Sequence, residues 1–198
     1  MLLGVTGGVA SGKSSFRRLL SARHPFAIFD ADKCVHDLLA KDKSVISAIL
    51  ARFGDSLLSP DGGINRPALR ETVFTDFQSR KQLEAIIHPV VRHRWQLLRQ
   101  SCVEEDVDFL AEIPLLFETS AESYFDVTIL VAASAPVQQT RLAARGLAPQ
   151  IAQAMLASQC PMREKEKRAT VVVWNDGTLA GLEQQARMLI ERLFPSPS

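Results

Sequence analysis

Apolar positions along this chain follow two rhythms. Short, mainly apolar runs occur at Leu2-Leu3-Gly4-Val5, Phe26–Phe29 (FAIF), Val107–Ala111 (VDFLA), Val127–Ala132 (VTILVA) and Val171–Val173. Each is bounded by turn or cap residues and reads as a short buried strand. Between them the apolar residues recur at helical spacing. Phe16, Leu19 and Leu20 predict a helix over about Lys13–Arg23, which Pro25 closes. Val35, Leu38, Leu39, Val45, Ile46, Ile49, Leu50 and Phe53 mark one long helical region, stopped at Gly54.

Asp61-Gly62-Gly63 is a turn, and Asn65 caps a helix over Arg66–Val73. A further helix from about Asp76 reaches Ile87, with His88-Pro89 expected to bend or restart it toward Leu98. Ser134 and Pro136 open a helix after the fourth run, and Leu179–Leu193 forms the closing one. The tail Pro195-Ser196-Pro197-Ser198 is expected to fray.

Strands alternating with helices predict a three-layer α/β fold on a five-stranded, mainly parallel sheet. About eighty residues separate the second run from the third, whereas a simple crossover needs only about a dozen. The excess is expected to be an inserted helical acceptor subdomain, about residues 33–103. The core then takes about residues 1–32, 104–140 and 170–198. Residues of about 141–169, polar and basic toward Arg163, Lys165, Lys167 and Arg168, are expected to form a lid that behaves as a mobile flap.

Composition adds mainly exclusions. The chain has 198 residues, 46% of them hydrophobic and 23% charged, with a formal net charge of +1. That balance makes no case for a nucleic-acid or membrane surface. No apolar run approaches the roughly 20 residues that span a bilayer. Cys34, Cys102 and Cys160 are odd in number and lack ligand spacing, so they read as reduced thiols of a cytoplasmic protein.

The chemistry begins at Gly7–Ser15, GGVASGKSS. Gly7, Gly12, Lys13 and Ser14 fit G-x-x-x-x-G-K-[ST], a loop whose backbone N–H groups cradle phosphates. Lys13 reaches the β and γ phosphates, and the Ser14 hydroxyl ligates magnesium. The loop lies between a strand and a helix, the context that the motif requires. ATP and Mg2+ follow as expected ligands.

Four further groups join it. Asp30 and Asp32 follow the second strand, at the edge where open parallel sheets bind ligands. One carboxylate there would act as base for an acceptor hydroxyl and the other near the metal; alternatively Asp32 caps a helix starting at Lys33. Glu112, just past the third strand, takes the place of the second magnesium-organising acid. Glu118 is either a further site acid or a surface residue. Arg141 and Arg145 share one helix face, a pairing that repels unless a polyanion lies between them. Asn175, after the last strand, is read as a contact to the nucleotide base or as part of a plain turn. Within the insert, Arg66, Arg70, Arg80, His88, Arg92, His93 and Arg94 offer positive charge to an anionic acceptor. A base beside the acceptor suits a neutral hydroxyl better than a phosphate, which needs no deprotonation.

The segments GVTGGVASGKSS, FDAD, FG with DGGINRPAL, LEAIIHP, IPLLFE and QTRLAAR resemble the dephospho-CoA kinase family in type, order and spacing, from Leu2 to Leu193. The resemblance implies a P-loop fold of the nucleoside-kinase kind with core, acceptor domain and lid. The implied reaction is transfer of the γ-phosphate of ATP to the 3′-hydroxyl of dephospho-CoA, the last step of coenzyme A synthesis. It implies Gly8, Ala10, Ser11, Gly12, Lys13, Ser14, Ser15, Arg145 and Asn175 for ATP. Asp32 is implied as base, with Lys13 and Arg141 catalytic and Arg141 in the lid over the phosphates. The acceptor set is Asp30, His88, Pro89, Arg92, Leu115 and Glu118, and the metal set Ser14 and Glu112. Expected partners are therefore ATP and dephospho-CoA, for a monomer or weak homo-oligomer.

The pattern is departed from at Ala10 (usually glycine), Ser15 (threonine), Glu112 (aspartate) and Thr170 (aspartate). Ala10 is a modest change if its φ is negative. Glu112 and Thr170 bear on the metal geometry and the adenine side. Two alternatives stay open: a P-loop kinase of another small hydroxyl substrate, such as a nucleoside or sugar, and a nucleotide-binding protein without catalysis.

Overall fold

The structure is a computed structural model that describes residues 1–157 and 159–195. Its sheet has strands β1 (Leu2–Gly7), β2 (Ala27–Asp30), β3 (Phe109–Glu112), β4 (Val127–Ala132) and β5 (Val171–Trp174) in the order β2-β3-β1-β4-β5. The β1–β3, β1–β4 and β4–β5 ladders are parallel, with Val5 opposite Glu112 and Gly7 opposite Val131. Every residue of β1, β3 and β4 is buried, as expected of central strands covered on both faces. The edge strands β2 and β5 are only partly buried.

The chain divides into two compact units, residues 1–29 with 102–198, and residues 30–101. In the first, α1 (Lys13–Ser21) and α9 (Leu179–Leu193) pack on the sheet. Phe16 and Leu20 join Leu3, Val5, Ile129, Val131, Leu182, Ala186 and Leu189 in one cluster. Burial of each large side chain there contributes about 1.5–3 kcal/mol. Gly4 makes room on β1, since a Cβ there would lie 2.8 Å from Leu116 and 3.0 Å from Phe125. Helices α6 (Ala135–Ala144), α7 (Pro149–Ala157) and α8 (Met162–Arg168) also belong to this unit.

The second unit contains α2 (Ala31–Lys41), α3 (Lys43–Phe53), α4 (Arg66–Thr75) and most of α5 (Phe77–Glu104). Leu38, Ile49, Leu57, Leu69, Ile87 and Trp95 are among its buried residues. The long helical region expected from Val35 to Phe53 is two helices. Asp42 interrupts it, its carboxylate accepting the Val45 N–H at 3.2 Å as the cap of α3. Gly54 ends α3 with φ at +96°, and Asn65 caps α4 by accepting the Ala68 N–H.

Pro89 does not restart the helix. Helix α5 runs continuously through it, despite the hydrogen bond that a proline nitrogen cannot donate. Buried Ile87, Val91 and Trp95 flank the proline and hold the helix in register. Strand β3 also ends later than the apolar run, so Glu112 lies within it rather than past it. The expectation of a frayed tail falls on Ser196–Ser198, outside the described residues.

Candidate active site

Strand β1 delivers the chain to its loop at Gly7, where a Cβ would stand 2.2 Å from the Val131 carbonyl oxygen of the neighbouring strand. Gly12 has φ +99°, and a Cβ there would stand 2.2 Å from Asn175 Nδ2. Both glycines are required by space, and Gly12 also by conformation. Gly12 is the residue from which α1 starts, so the loop opens onto a helix N-terminus, which favours anions.

Ala10 takes φ +55°, so the negative φ on which its harmlessness depended is not what the loop adopts. Its methyl instead packs with buried Leu142 and Ala152, against partly buried Val9, Leu147 and Leu156. Lys13 folds its ammonium back onto the loop, donating to the carbonyls of Gly7 at 3.1 Å and Gly8 at 2.8 Å. The Ser11 side chain is fully buried, and its hydroxyl has no hydrogen-bond partner among the described residues. Ser15 is half-buried on α1.

The Ser14 hydroxyl donates to Glu112 Oε1 at 2.7 Å, and Arg17 Nε donates to Glu112 Oε2 at 2.7 Å. Glu112 is buried, so the guanidinium compensates a carboxylate that would be costly alone. Arg17 is a residue that sequence reasoning missed, because its position on α1 gives no sign that it faces β3. The described residues contain no cluster of three or more His, Cys, Asp or Glu suited to a metal.

Arg141, on α6, binds the backbone of the loop. Its guanidinium donates to the carbonyls of Ala10 and Ser11, both at 3.2 Å, and of Asn175 at 2.7 Å. Asn175 is buried after β5 and donates its amide to the Ser11 carbonyl at 2.7 Å. Arg145 is exposed at the end of α6. Ser134 stands at the N-cap of α6 without a side-chain cap bond; its N–H donates to Asp176 Oδ1 at 2.7 Å.

The turn after β3 carries half-buried Leu115 and exposed Glu118. Glu118 Oε1 lies 2.8 Å from the ammonium of Lys165, which is 1% exposed, and accepts the Cys160 N–H at 3.3 Å. Gln159, also missed, accepts the Val9 N–H at 3.0 Å. The stretch expected as a flap is thus tied both to the phosphate loop and to the turn after β3. Thr170 pairs with Thr128 near the starts of β5 and β4, with reciprocal bonds of 3.0 and 3.2 Å. That is the end of the sheet opposite the phosphate loop.

In the second unit, Asp30 caps α2 by accepting the Lys33 N–H at 2.9 Å. The helix begins at Ala31, so the capping role considered for Asp32 belongs to Asp30, and Asp32 stands exposed in the first turn. Burial pushes the Cys34 thiol up despite nearby Arg94, which leaves it protonated and unreactive. On α5, His88 is half-buried while Pro89 and Arg92 are exposed. Of the other basic residues, Arg94 pairs with Asp42 at 2.7 Å and Arg80 with Glu84 at 3.0 Å.

A family model described as dephospho-CoA kinase matches residues 1–181. The chain belongs to the dephospho-CoA kinase family. A dephospho-CoA kinase of Geobacter sulfurreducens is 38% identical over 199 residues, covering 98% of this chain and 99% of that one. One from Streptococcus thermophilus is 35% identical over 194 residues, covering 98% of each. The solved dephospho-CoA kinase of Campylobacter jejuni superposes with a TM-score of 0.68 at 27% identity, over 97% of this chain and 96% of that one. As a dephospho-CoA kinase, the chain uses ATP to phosphorylate dephospho-CoA in coenzyme A synthesis. Among the described residues, no helix is long and apolar enough to cross a membrane.

Proposed function

We propose that the kinase reaction runs with Asp32 as the base that takes the proton of the acceptor 3′-hydroxyl. Lys13 and Arg141 answer the charge on the transferring phosphoryl group. The observation that carries this reading is the arrangement at the loop: Ser14, Glu112 and Arg17 joined by two 2.7 Å bonds beside a glycine loop that opens onto a helix. Asp32 is supported because Asp30, not Asp32, caps α2, so helix capping does not account for the Asp32 carboxylate.

The donor set fits magnesium. A hydroxyl facing a buried carboxylate can hold a hydrated cation that draws its other ligands from phosphate and water. Ser14 would ligate it directly. Glu112, its charge partly answered by Arg17, would hold a metal-bound water. The ion, when bound, neutralises charge on the β and γ phosphates. Lys13 would leave the Gly7 and Gly8 carbonyls for the phosphates. Ser15, Gly8, Ala10, Ser11 and Gly12 would line the ATP phosphates, with Arg145 and Asn175 on the nucleotide side. Asp30, His88, Pro89, Arg92, Leu115 and Glu118 would serve the acceptor. The three free thiols agree with a reducing cytoplasm, and we assign a monomer or weak homo-oligomer.

The test is ADP release from MgATP with dephospho-CoA, beside a panel of nucleosides and sugars, for the wild type and Asp32→Asn. Loss of general base catalysis should lower kcat by about 10²–10⁴-fold with ATP affinity unchanged. A variant that keeps its rate within tenfold removes Asp32 from the role.

A further inference from the structure

Lys165 is 1% exposed, yet it is a charged residue on a seven-residue helix. Its ammonium lies within ion-pair distance of Glu118, at 2.8 Å, but none of its N–H groups is aligned as a hydrogen bond on an acceptor among the described residues. An apolar side chain of similar length would stabilise such a position as well or better, because a buried ion pair rarely recovers its desolvation cost. Stability alone therefore gives no reason for the charge.

Its connections suggest another. The Glu118 oxygen that faces Lys165 also accepts the Cys160 N–H. The adjacent residue, Gln159, holds the Val9 N–H of the phosphate loop. Met162 reaches the same loop, its Cε 3.5 Å from where a Gly8 Cβ would stand. At the far end of α8, Arg168 pairs with Glu122 and lies over the Phe117 ring at 5.1 Å. The stretch from Gln159 to Arg168 is thus a strut with one end on the phosphate loop and the other on the turn that follows Glu112.

We propose that Lys165 is a positioning residue for phosphoryl transfer: by fixing Glu118 it holds this strut, and through Gln159 the strut sets the Val9 side of the phosphate loop. The proposal rests on reading Gly7–Ser15 as the ATP site. A displacement of about 1 Å at a reacting group can cost about a hundredfold in rate, so a strut this close to the phosphates acts on kcat.

Lys165→Met keeps length and removes charge. In the full chain it is expected to leave the thermal midpoint unchanged or raised, while kcat falls at least tenfold. Lys165→Arg, which keeps a cation facing Glu118, should recover at least fivefold over Lys165→Met. A folded Lys165→Met with kcat and both KM values within twofold of wild type overturns the proposal. Should Lys165→Met fail to fold, Gln159→Ala at its half-buried position decides. An increase of fivefold or more in KM for ATP, or an equal fall in kcat, supports the strut; no change in either overturns it. Failure of the ATP-site reading would show separately, as wild-type protein that neither binds ATP nor releases ADP.

Discussion

The hydroxyl of Ser14 and the carboxylate of Glu112 meet at 2.7 Å, although 98 positions apart in sequence, and Arg17 holds the second oxygen of the same carboxylate. One buried carboxylate therefore serves a phosphate-loop hydroxyl and a guanidinium at once. Glutamate rather than aspartate is accommodated because both oxygens are spoken for, which fixes the longer side chain.

Removing that carboxylate has two separable effects. Glu112→Ala removes the buried carboxylate to which Arg17 donates, an arginine whose side chain is 16% exposed, and should cost about 3 kcal/mol in urea denaturation. Glu112→Gln keeps the shape and an acceptor for Ser14. It should lose less stability but raise the Mg2+ concentration for half-maximal turnover about 10–100-fold, as expected when a supporting ligand is neutralised. Equal Mg2+ dependence in Glu112→Gln and wild type would take Glu112 out of the metal site.

Ala10 presents opposing terms of similar size. Its φ of +55° costs about 1–2 kcal/mol relative to glycine. Ala10→Gly relieves that strain. It also loses a methyl packed against Leu142 and Ala152, about 0.8 kcal/mol, and gains freedom in the unfolded chain worth about 0.4–1 kcal/mol. The terms nearly cancel, so Ala10→Gly should change stability by less than about 1 kcal/mol. Ala10→Val, β-branched at positive φ, should destabilise by about 2 kcal/mol or more. Thermal or urea unfolding of the two variants checks both.

These two cases mark how far the sequence could be read. Glycine spacing, an apolar run and a following helical rhythm place Gly7–Ser15 without tertiary information, because the motif is local. Asn65 and Gly54 likewise act on their own helices. Glu112 could be picked out beside the third apolar run but the strand's end could not, since β3 is bounded by pairing with Val5 rather than by any residue of its own. Pro89 argued locally for a break that buried Ile87, Val91 and Trp95 override. Arg17, Gln159 and Lys165 were illegible for one reason: each is defined by a partner on another element, and a polar residue at helical spacing looks the same whether it faces solvent or a carboxylate.

Acid should weaken the first unit at a defined place. Burial alone would push the Asp108 carboxyl up, but hydrogen bonds from the Met1 ammonium and from His24, both at 2.6 Å, outweigh it and hold the group below the usual carboxylate range. The folded state then binds fewer protons at Asp108 than the unfolded state does. Its stabilising contribution is complete above the unfolded value of about 4 and is lost as pH falls below it. Asp108→Asn should be less stable than wild type at pH 7, with the difference shrinking as pH falls from about 4 toward 2. Urea midpoints across that range measure it; a difference constant with pH would show that Asp108 contributes only uncharged contacts.

Arg141 and Asn175 converge on one atom, the Ser11 carbonyl oxygen, and Arg141 also binds the Asn175 carbonyl. Residues that share a partner in this way do not contribute independently; coupling of about 0.5–3 kcal/mol is usual. Arg141→Lys cannot reproduce a planar fork on three carbonyls, so it should lower kcat/KM for ATP by about a hundredfold despite keeping the charge. Asn175→Ala removes one buried donor from the Ser11 carbonyl and should cost about 1–3 kcal/mol of stability. The double variant should lose about 1 kcal/mol less than the sum of the singles, because the first change already loosens the loop that the second would release. Losses that add to within about 0.3 kcal/mol would mean that the two side chains hold the loop separately.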